Sequence, residues 1–211
     1  MINILIADDH AIVREGLKQI LSEEDDILVT GEAGDAAELF QLLQNNSYDM
    51  IVLDINMPGK TGLEALKEIK MMHHGIPVLI LSMYSEDQYG LRAIKAGASG
   101  YLKKVSAPDE LVKAIKKIIS GGKYISASLA ENLADNFGMD YHSSPHETLS
   151  DREYEILCKI AAGQTADSIA EELSISVHTV YSYRNRILEK MNMKSNVELT
   201  RYAIKNKLME V

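Results

Sequence analysis

The first 123 residues alternate between short apolar runs and segments with helical periodicity. The apolar runs, rich in β-branched residues, lie at 2–7, 27–30, 50–53, 78–81 and 101–102. A helical pattern follows each run, at 11–21, 36–44, 62–72, 86–96 and 108–119. Strands that alternate with helices form parallel sheets, and strands covered on both faces are apolar throughout. The pattern predicts an α/β doubly wound fold with a five-stranded parallel sheet in the order 2-1-3-4-5.

Polar side chains stand just past the ends of four of these runs. Asp8 and Asp9 follow the first run, Asp54 the third, Ser82 the fourth and Lys104 the fifth. Taken singly, each has an ordinary explanation, since acids cap helices, serine is common in turns and lysine is common on surfaces. In the 2-1-3-4-5 order, however, the carboxyl ends of the first and third strands flank the crevice where ligands bind. The spacing therefore predicts that these five side chains share one site.

Three carboxylates in one crevice raise one another's pKa unless a cation lies between them. Mg²⁺ suits such a site, because it takes oxygen ligands, binds through few protein groups and completes its shell with phosphate. The ammonium group of Lys104 can balance the charge of an incoming phosphoryl group. We expect a Mg²⁺ site beside one carboxylate that accepts phosphate.

The charge is distributed unevenly along the chain. The net charge is −9, but 148–211 holds nine acids and nine bases, and within it 178–207 holds seven bases and two acids. One face of the C-terminal part is therefore expected to be basic, as in a nucleic-acid-binding domain. The only cysteine, Cys158, excludes an internal disulfide, and we expect a cytoplasmic protein without a membrane segment.

Residues 124–147 separate two predicted domains, 1–123 and 148–211. A short amphipathic helix is predicted from 126 to 137, through Leu129, Leu133 and Phe137, and Gly138 would end it. The polar residues that follow are typical of a flexible linker.

Four helical patterns occupy the C-terminal domain. The first begins at a capping box, Ser150 to Glu153, the second at Thr165, the third at Ser176, and the fourth covers 197–207. Two short helices before a longer third helix are typical of a helix-turn-helix, although a four-helix protein-interaction domain has the same pattern. The third helix favours the helix-turn-helix: its buried side is predicted to carry Val177, Val180, Ile187 and Met191, and its exposed side His178, Tyr181, Ser182, Asn185 and Arg186. That exposed side suits the DNA major groove.

The N-terminal domain resembles the receiver domain of bacterial two-component response regulators in its motifs IADDH, LDINMPGKTG, VLILS and GASGYLKK. The resemblance implies that Asp54 accepts a phosphoryl group from a phosphohistidine of a sensor histidine kinase. It implies Mg²⁺ ligation by Asp9, Asp54 and the backbone carbonyl of Asn56, with Asp8 acting through a water. The interval from Ser82 to Lys104 is 22 residues, which matches the family's interval between the switch hydroxyl and the salt-bridging lysine. The resemblance therefore assigns the salt-bridging role to Lys104 rather than to Lys103.

The same resemblance implies a switch. Ser82 would move towards the phosphoryl group, Tyr101 would move into the space that it leaves, and the surface of the fourth helix, fifth strand and fifth helix would change. A buried Tyr101 without a switching role is the alternative.

The C-terminal domain resembles LuxR-type helix-turn-helix domains in LSDREYEIL, IAEEL and SISVHTVYSYRNRILEKM, and the pairing resembles the NarL/FixJ family. The resemblance implies promoter DNA as a partner, with RNA polymerase as a further one. It implies base reading by Tyr181, Ser182 and Asn185, with His178 on the same face, and phosphate contacts from Thr179, Arg186 and Lys190. Arg184 is predicted to form an internal salt bridge.

Phosphorylation is then expected to relieve docking between the domains and to allow homodimers. The predicted dimer surface is the last helix, with Val197, Leu199, Tyr202 and Ile204; packing of these residues against their own domain is the alternative. Two other classes of protein are alternatives: a phosphohydrolase with an aspartyl-phosphate intermediate, whose DxD motif is absent, and a receiver that only binds partners, which would not need all five pocket residues. The protein is not expected to be a turnover enzyme.

Overall fold

The computed structural model describes residues 1–73, 75–136 and 144–209. The chain divides into two compact units, Met1–Ala134 and Asp135–Val211. The elements of the first unit are β1 Ile2–Ala7, α1 Ala11–Leu21, β2 Ile27–Ala33, α2 Ala36–Asn45, β3 Met50–Asp54, α3 Gly62–Met72, β4 Val78–Ser82, α4 Glu86–Lys95, β5 Gly100–Lys103, α5 Ala107–Ile119 and α6 Ala127–Asn136.

The five strands form one parallel sheet in the order β2-β1-β3-β4-β5, which confirms the predicted fold. Every residue of β3 and β4 is buried, as expected for apolar strands with helices on both faces. The edge strand β2 continues to Ala33, three residues beyond the predicted run. Its ladder with β1 runs on to the pair Ala7 and Ala33, so strand pairing extends the strand past the apolar residues that signalled it.

Residues 127–134 of the helix α6 belong to the first compact unit, and the helix packs on α4. Leu129 is 4% exposed, and a Cβ atom added to Gly90 of α4 would lie 2.9 Å from the Leu129 side chain. The Ser126 amide donates to Glu86 Oε1 over 3.0 Å. The predicted helix at 126–137 is therefore present, while Phe137, Gly138 and the linker up to residue 143 lie outside the described residues. The domain limits at 123 and 148 stay a prediction.

The second unit contains a 3-10 turn, Pro145–Thr148, and four helices: α7 Asp151–Ala161, α8 Ala166–Glu172, α9 Val177–Lys190 and α10 Asn196–Lys205. Each helix begins at a side chain that accepts a hydrogen bond from a backbone amide of the first turn; these caps are Ser150, Thr165, Ser176 and Ser195. Val180, Ile187, Leu199 and Ala203 are at most 1% exposed. This helical unit confirms the second part of the predicted fold.

Burial corrects one prediction about α10. Leu199 is completely buried, so it is not available to a dimer surface, whereas Val197 and Ile204 are 69% and 47% exposed. Tyr202 is half-buried, and its hydroxyl is hydrogen-bonded to His146 Nδ1 over 2.8 Å. Within the part of the chain that the structure describes, no helix has both the length and the apolar character needed to cross a bilayer.

Candidate functional site

The carboxyl end of the sheet brings an ammonium group between two carboxylates. Lys104 Nζ lies 2.7 Å from Asp8 Oδ2 and 2.8 Å from Asp54 Oδ2. Asp8 follows β1, Asp54 ends β3, and Lys104 follows β5, so residues far apart in the sequence meet here because their strands are parallel. The neighbour Lys103 pairs in register with Ser82 at the end of β4. Lys104 is thus the lysine that contacts the acidic pair.

Burial dominates the electrostatics of this site. The side chains of Asp8 and Asp54 are 2% exposed, and that of Lys104 is 9% exposed. Burial raises the pKa of Asp54 to about 6, although Lys104 lowers it, and the charge of Asp8 raises it further. Burial lowers the pKa of Lys104, but the contacts with Asp54 and Asp8 outweigh it and leave that pKa raised. Asp54 is therefore an ionisable group with a strongly perturbed pKa in a crevice, as functional carboxylates often are.

Four side chains are arranged as a candidate metal site. One ligand atom from each of Asp8, Asp9, His10 and Asp54 lies within 4.8 Å of all the others. His10 Nδ1 lies 2.6 Å from Asp9 Oδ1, and the His10 amide donates to Asp8 Oδ1 over 2.9 Å. His10 was not predicted as a site residue, although its position directly after the acid pair was a signal. The carboxylate oxygens are hard ligands of the kind that Mg²⁺ takes.

The loop after β3 is held close to the site by a glycine. A Cβ atom on Gly62 would lie 2.0 Å from the backbone oxygen of Asp54, and the Gly62 amide donates to the Ile55 carbonyl over 2.7 Å. Asn56 lies in this loop, where its Nδ2 donates to the Tyr84 hydroxyl over 3.4 Å. Its Oδ1 is buried and has no hydrogen-bond partner among the described residues. Gly62 and Tyr84 were not singled out from the sequence, because their roles depend on contacts across the loop.

Ser82 and Tyr101 meet at one residue of the β4–α4 loop. Ser82 is fully buried, and its Oγ accepts from the Tyr84 amide over 3.1 Å. The Tyr101 hydroxyl donates to the Tyr84 carbonyl over 2.9 Å, and Ser85 O lies 3.4 Å from it. Tyr101 is 3% exposed, and burial raises its pKa. The structure thus places both predicted switch residues in contact with the loop that leads into α4.

The helix α9 presents the predicted DNA-contact residues on its outer side. His178, Tyr181, Asn185 and Arg186 are exposed, whereas Val180 and Ile187 are buried. Thr179 and Ser182 are half-buried, and Ser182 Oγ donates to the His178 carbonyl over 3.0 Å. The helix therefore has one apolar face towards its own unit and one polar face outwards.

Two basic residues of α9 have partners that the sequence did not predict. Lys190 Nζ lies 2.7 Å from Glu153 Oε2, the carboxylate that also caps α7. Arg184 Nε donates to Asn196 Oδ1 over 2.6 Å. The predicted salt bridge of Arg184 is wrong in this respect, because the acceptor is a neutral amide brought near by the start of α10.

Comparison with known proteins matches both units. The model of the response regulator receiver domain matches residues 4–116, and that of the bacterial regulatory proteins of the luxR family matches residues 147–203. The response regulator UvrY of Escherichia coli (strain K12) is 37% identical over 209 residues, which cover 99% of this chain and 96% of UvrY. The oxygen regulatory protein NreC of Staphylococcus carnosus (strain TM300) is 38% identical over an alignment of 214 residues, which covers 98% of this chain and 99% of NreC.

Solved structures are similar over nearly the whole chain. RcsB from Salmonella enterica serovar Typhimurium, bound to promoter rprA in the presence of the phosphomimetic BeF3-, has a TM-score of 0.66 and 26% identity. The match covers 95% of this chain and 97% of that chain. With both domains matched in order and relatives similar over their full length, this chain belongs to the NarL/FixJ family of two-component response regulators, which are DNA-binding regulators of transcription.

Proposed function

We propose that phosphorylation of Asp54, by a phosphohistidine of a sensor histidine kinase, controls DNA binding by this protein. The observation that carries the proposal is the contact of Lys104 Nζ with Asp8 Oδ2 at 2.7 Å and Asp54 Oδ2 at 2.8 Å. Holding an ammonium and two carboxylates away from water costs free energy of solvation. The arrangement suits transfer of a phosphoryl group to an aspartate, which uses a nucleophilic carboxylate next to a positive charge.

The proposed reaction is an in-line displacement at phosphorus. A carboxylate oxygen of Asp54 attacks the phosphorus atom, the new P–O bond forms, and the P–N bond to the imidazole breaks. The imidazole nitrogen keeps the bonding electron pair and takes up a proton. With a pKa of about 6, Asp54 is mostly ionised at neutral pH and can act as the nucleophile. The Lys104 ammonium stabilises negative charge on the phosphoryl oxygens. The protein catalyses only its own modification.

Asp9, Asp54 and the backbone carbonyl of Asn56 would hold Mg²⁺, with Asp8 acting through a water. The donor set fits this ion, because the carboxylate oxygens lie within 4.8 Å of one another and Asp8 raises the pKa of Asp54 by charge repulsion. Bound Mg²⁺ supplies positive charge that neutralises phosphoryl oxygens. Asp8 Oδ2 is engaged by Lys104, which is consistent with its indirect role.

The proposed signal leaves the pocket through Ser82. Phosphorylation adds about −1.5 to −2 of charge and new acceptor oxygens, which would attract the Ser82 hydroxyl. That movement would change the acceptor of the Tyr84 amide, in the loop that Tyr101 also holds. The surface of α4, β5 and α5 would change as a result. The expected output is release of the DNA-binding unit and formation of homodimers on paired half-sites.

The proposed DNA contacts lie on α9, with Tyr181, Ser182 and Asn185 towards base edges. The phosphate contacts would come from Thr179, Arg186 and Lys190, with His178 on the same face. RNA polymerase is a further proposed partner, and the cytoplasm is the proposed location. Support comes from the exposed polar side of α9 and from the relative RcsB, whose structure was solved bound to a promoter.

The test compares the full-length parent with Asp54→Asn, and uses Asp25→Asn, an exposed acid of the same unit, as the control. Each protein is incubated with Mg²⁺ and acetyl phosphate, and phosphate incorporation is measured by intact mass spectrometry. DNA binding is measured with and without the phosphoryl donor, on a duplex selected from a random library. We expect incorporation and tighter DNA binding in the parent and in the control only. Phosphate incorporation in Asp54→Asn equal to that of the parent would contradict Asp54 as the acceptor. A DNA affinity of the parent that is the same with and without the phosphoryl donor would contradict regulation by phosphorylation.

A further inference from the structure

We infer that Arg184 and Asn196 position the amide of Asn185 for reading one base pair, and so determine part of the DNA sequence preference. Arg184 Nε donates to Asn196 Oδ1 over 2.6 Å, and Arg184 Nη1 lies 3.3 Å from Asn185 Oδ1, to which it donates. Asn185 lies on the exposed side of α9, and Asn196 is the first residue of α10. One guanidinium thus connects the start of α10 to the face of α9 that is proposed to read bases, and the inference rests on that proposed function.

The guanidinium assigns the two ends of the Asn185 amide. A guanidinium has donors only, so the amide oxygen can face it, whereas the amide nitrogen would place a donor against a donor. Adenine presents an acceptor, N7, and a donor, the N6 amino group, in the major groove. With its orientation fixed, the Asn185 amide can donate from its nitrogen to N7 and accept at its oxygen from the N6 amino group. The arrangement therefore favours adenine at the base pair that Asn185 reads.

Arginine is suited to this role in a way that lysine is not. Its planar group holds several donors in a rigid fork, so Nε and Nη1 can serve two acceptors at once, while the lysine ammonium is a point charge on a flexible stem. Arg184 is also half-buried, in contrast with the exposed Arg186. Arg184 is accordingly a positioning residue that acts through Asn185. A residue that contacts only phosphate would change the affinity for all sequences alike.

The experiment measures base preference with the full-length protein and a phosphoryl donor. The parent is used to select duplexes from a random library, and its affinity is then measured for the selected duplex and for every single base-pair change. Asn185→Ala identifies the base pair that Asn185 reads, as the one position where discrimination is lost. The test variants are Asn196→Ala and Arg184→Lys. Two further variants are controls. Asn196→Asp keeps an oxygen acceptor for Arg184, and Arg201→Lys makes the same arginine-to-lysine change on the exposed surface of α10.

We expect an A·T pair at the position identified by Asn185→Ala. Asn196→Ala and Arg184→Lys should lose discrimination there by at least about fivefold, the low end of what one bidentate contact supplies, and should keep the parent's preference elsewhere. Asn196→Asp and Arg201→Lys should keep the parent's preference at every position. Thermal unfolding of each variant checks that the second unit is folded.

Three outcomes would overturn the inference. An Asn196→Ala variant with the parent's preference at every position would show that the contact has no effect on reading. A uniform loss of affinity in Arg184→Lys, on selected and random duplexes alike, would make Arg184 a phosphate contact. If the parent selects a sequence and Asn185→Ala keeps the same base preference at every position, the positioning role is excluded but the proposed function is not. If the parent selects no sequence, the proposed function itself is contradicted.

Discussion

Ser82 and Tyr101 hold the two backbone polar groups of the same residue: Ser82 Oγ accepts from the Tyr84 amide over 3.1 Å, and the Tyr101 hydroxyl donates to the Tyr84 carbonyl over 2.9 Å. Ser82 ends β4, beside the acidic pocket, and Tyr101 lies on β5, the next strand. A change of hydrogen-bond partner at Ser82 therefore affects the residue that Tyr101 also holds, Tyr84. The Ser82 side chain also interacts directly with the Tyr101 hydroxyl, which lowers the pKa of Tyr101 against the larger effect of burial.

Tyr101→Phe tests this connection. Removal of the hydroxyl takes away the donor to the Tyr84 carbonyl, and the free energy of unfolding of the first unit should fall by about 1 kcal/mol. Amide hydrogen exchange in residues 83–87 of the full-length protein should become faster than in the parent. Tyr181→Phe, at a site 51% exposed, is the matched control and should leave this exchange unchanged. Identical exchange in Tyr101→Phe and the parent would mean that the hydroxyl does not hold the loop.

The raised pKa of Asp54 predicts a pH-dependent stability. Burial raises this pKa from 3.8 to about 6, so the folded protein binds the proton more tightly than the unfolded chain does. The resulting stabilisation is fully present below the unfolded pKa and is lost as the pH rises through the folded pKa. Asp54→Asn does not titrate. Without Mg²⁺ it should be more stable than the parent by about 1–3 kcal/mol at neutral pH, and this difference should shrink towards the unfolded pKa.

Urea denaturation of the full-length proteins over a pH series, with a chelator present, measures this difference. Asp25→Asn is the control, because this acid is exposed. Curves for Asp54→Asn and the parent that stay parallel over the whole pH series would be incompatible with a raised Asp54 pKa.

Mg²⁺ should stabilise the folded protein by binding to the acidic cluster. A ligand at about 100 times its dissociation constant raises the free energy of unfolding by about 2.7 kcal/mol, so Tm should rise with Mg²⁺ concentration. Asp9→Asn removes one carboxylate of the cluster and should reduce the rise in Tm, while Asp25→Asn should not. A rise in Tm of the same size in Asp9→Asn would exclude Asp9 as a ligand.

Two glycine substitutions should have opposite effects. In Gly62→Ala the new Cβ would lie 2.0 Å from the Asp54 backbone oxygen, and backbone atoms must move, so a loss of about 1–3 kcal/mol is expected. Gly16 lies inside α1 with no atom within 4 Å of an added Cβ. Gly16→Ala should therefore stabilise the protein, by up to about 1 kcal/mol, through the better helix propensity of alanine. Thermal unfolding of both variants provides the measurement, and a neutral Gly62→Ala would contradict the close approach.

Local pattern was enough to predict most of the first unit. The apolar runs identified β1, β3 and β4 because residues buried on both faces leave a continuous signal. The edge strand β2 was predicted too short, since its last residues alternate in burial and only pairing with β1 extends it. The α6 helix was expected from periodicity. The packing of α6 on Gly90 of α4 was not predicted, because a glycine inside a helix does not reveal which side chain approaches it.

The contacts of individual side chains were harder to predict from the sequence than the helices and strands. Leu199 was expected on a dimer surface, but it is completely buried. The prediction failed because helical periodicity identifies an apolar face but not the segment that packs against it. Arg184 was expected to pair with an acid, but it donates to Asn196. His10 was overlooked beside the acid pair, although it lies within the same cluster as Asp8 and Asp9.

By itself, the sequence determined the strands, the helices, the order of the sheet and the set of polar residues at its carboxyl end. These follow from local periodicity and from the topology rule for parallel sheets. Only the tertiary structure decided the ångström-scale contacts: Lys104 between Asp8 and Asp54, Tyr84 between Ser82 and Tyr101, and Arg184 between Asn185 and Asn196. The contacts at the sheet depend on strand register, and all three contacts depend on side-chain conformation, which is set by packing in the folded protein.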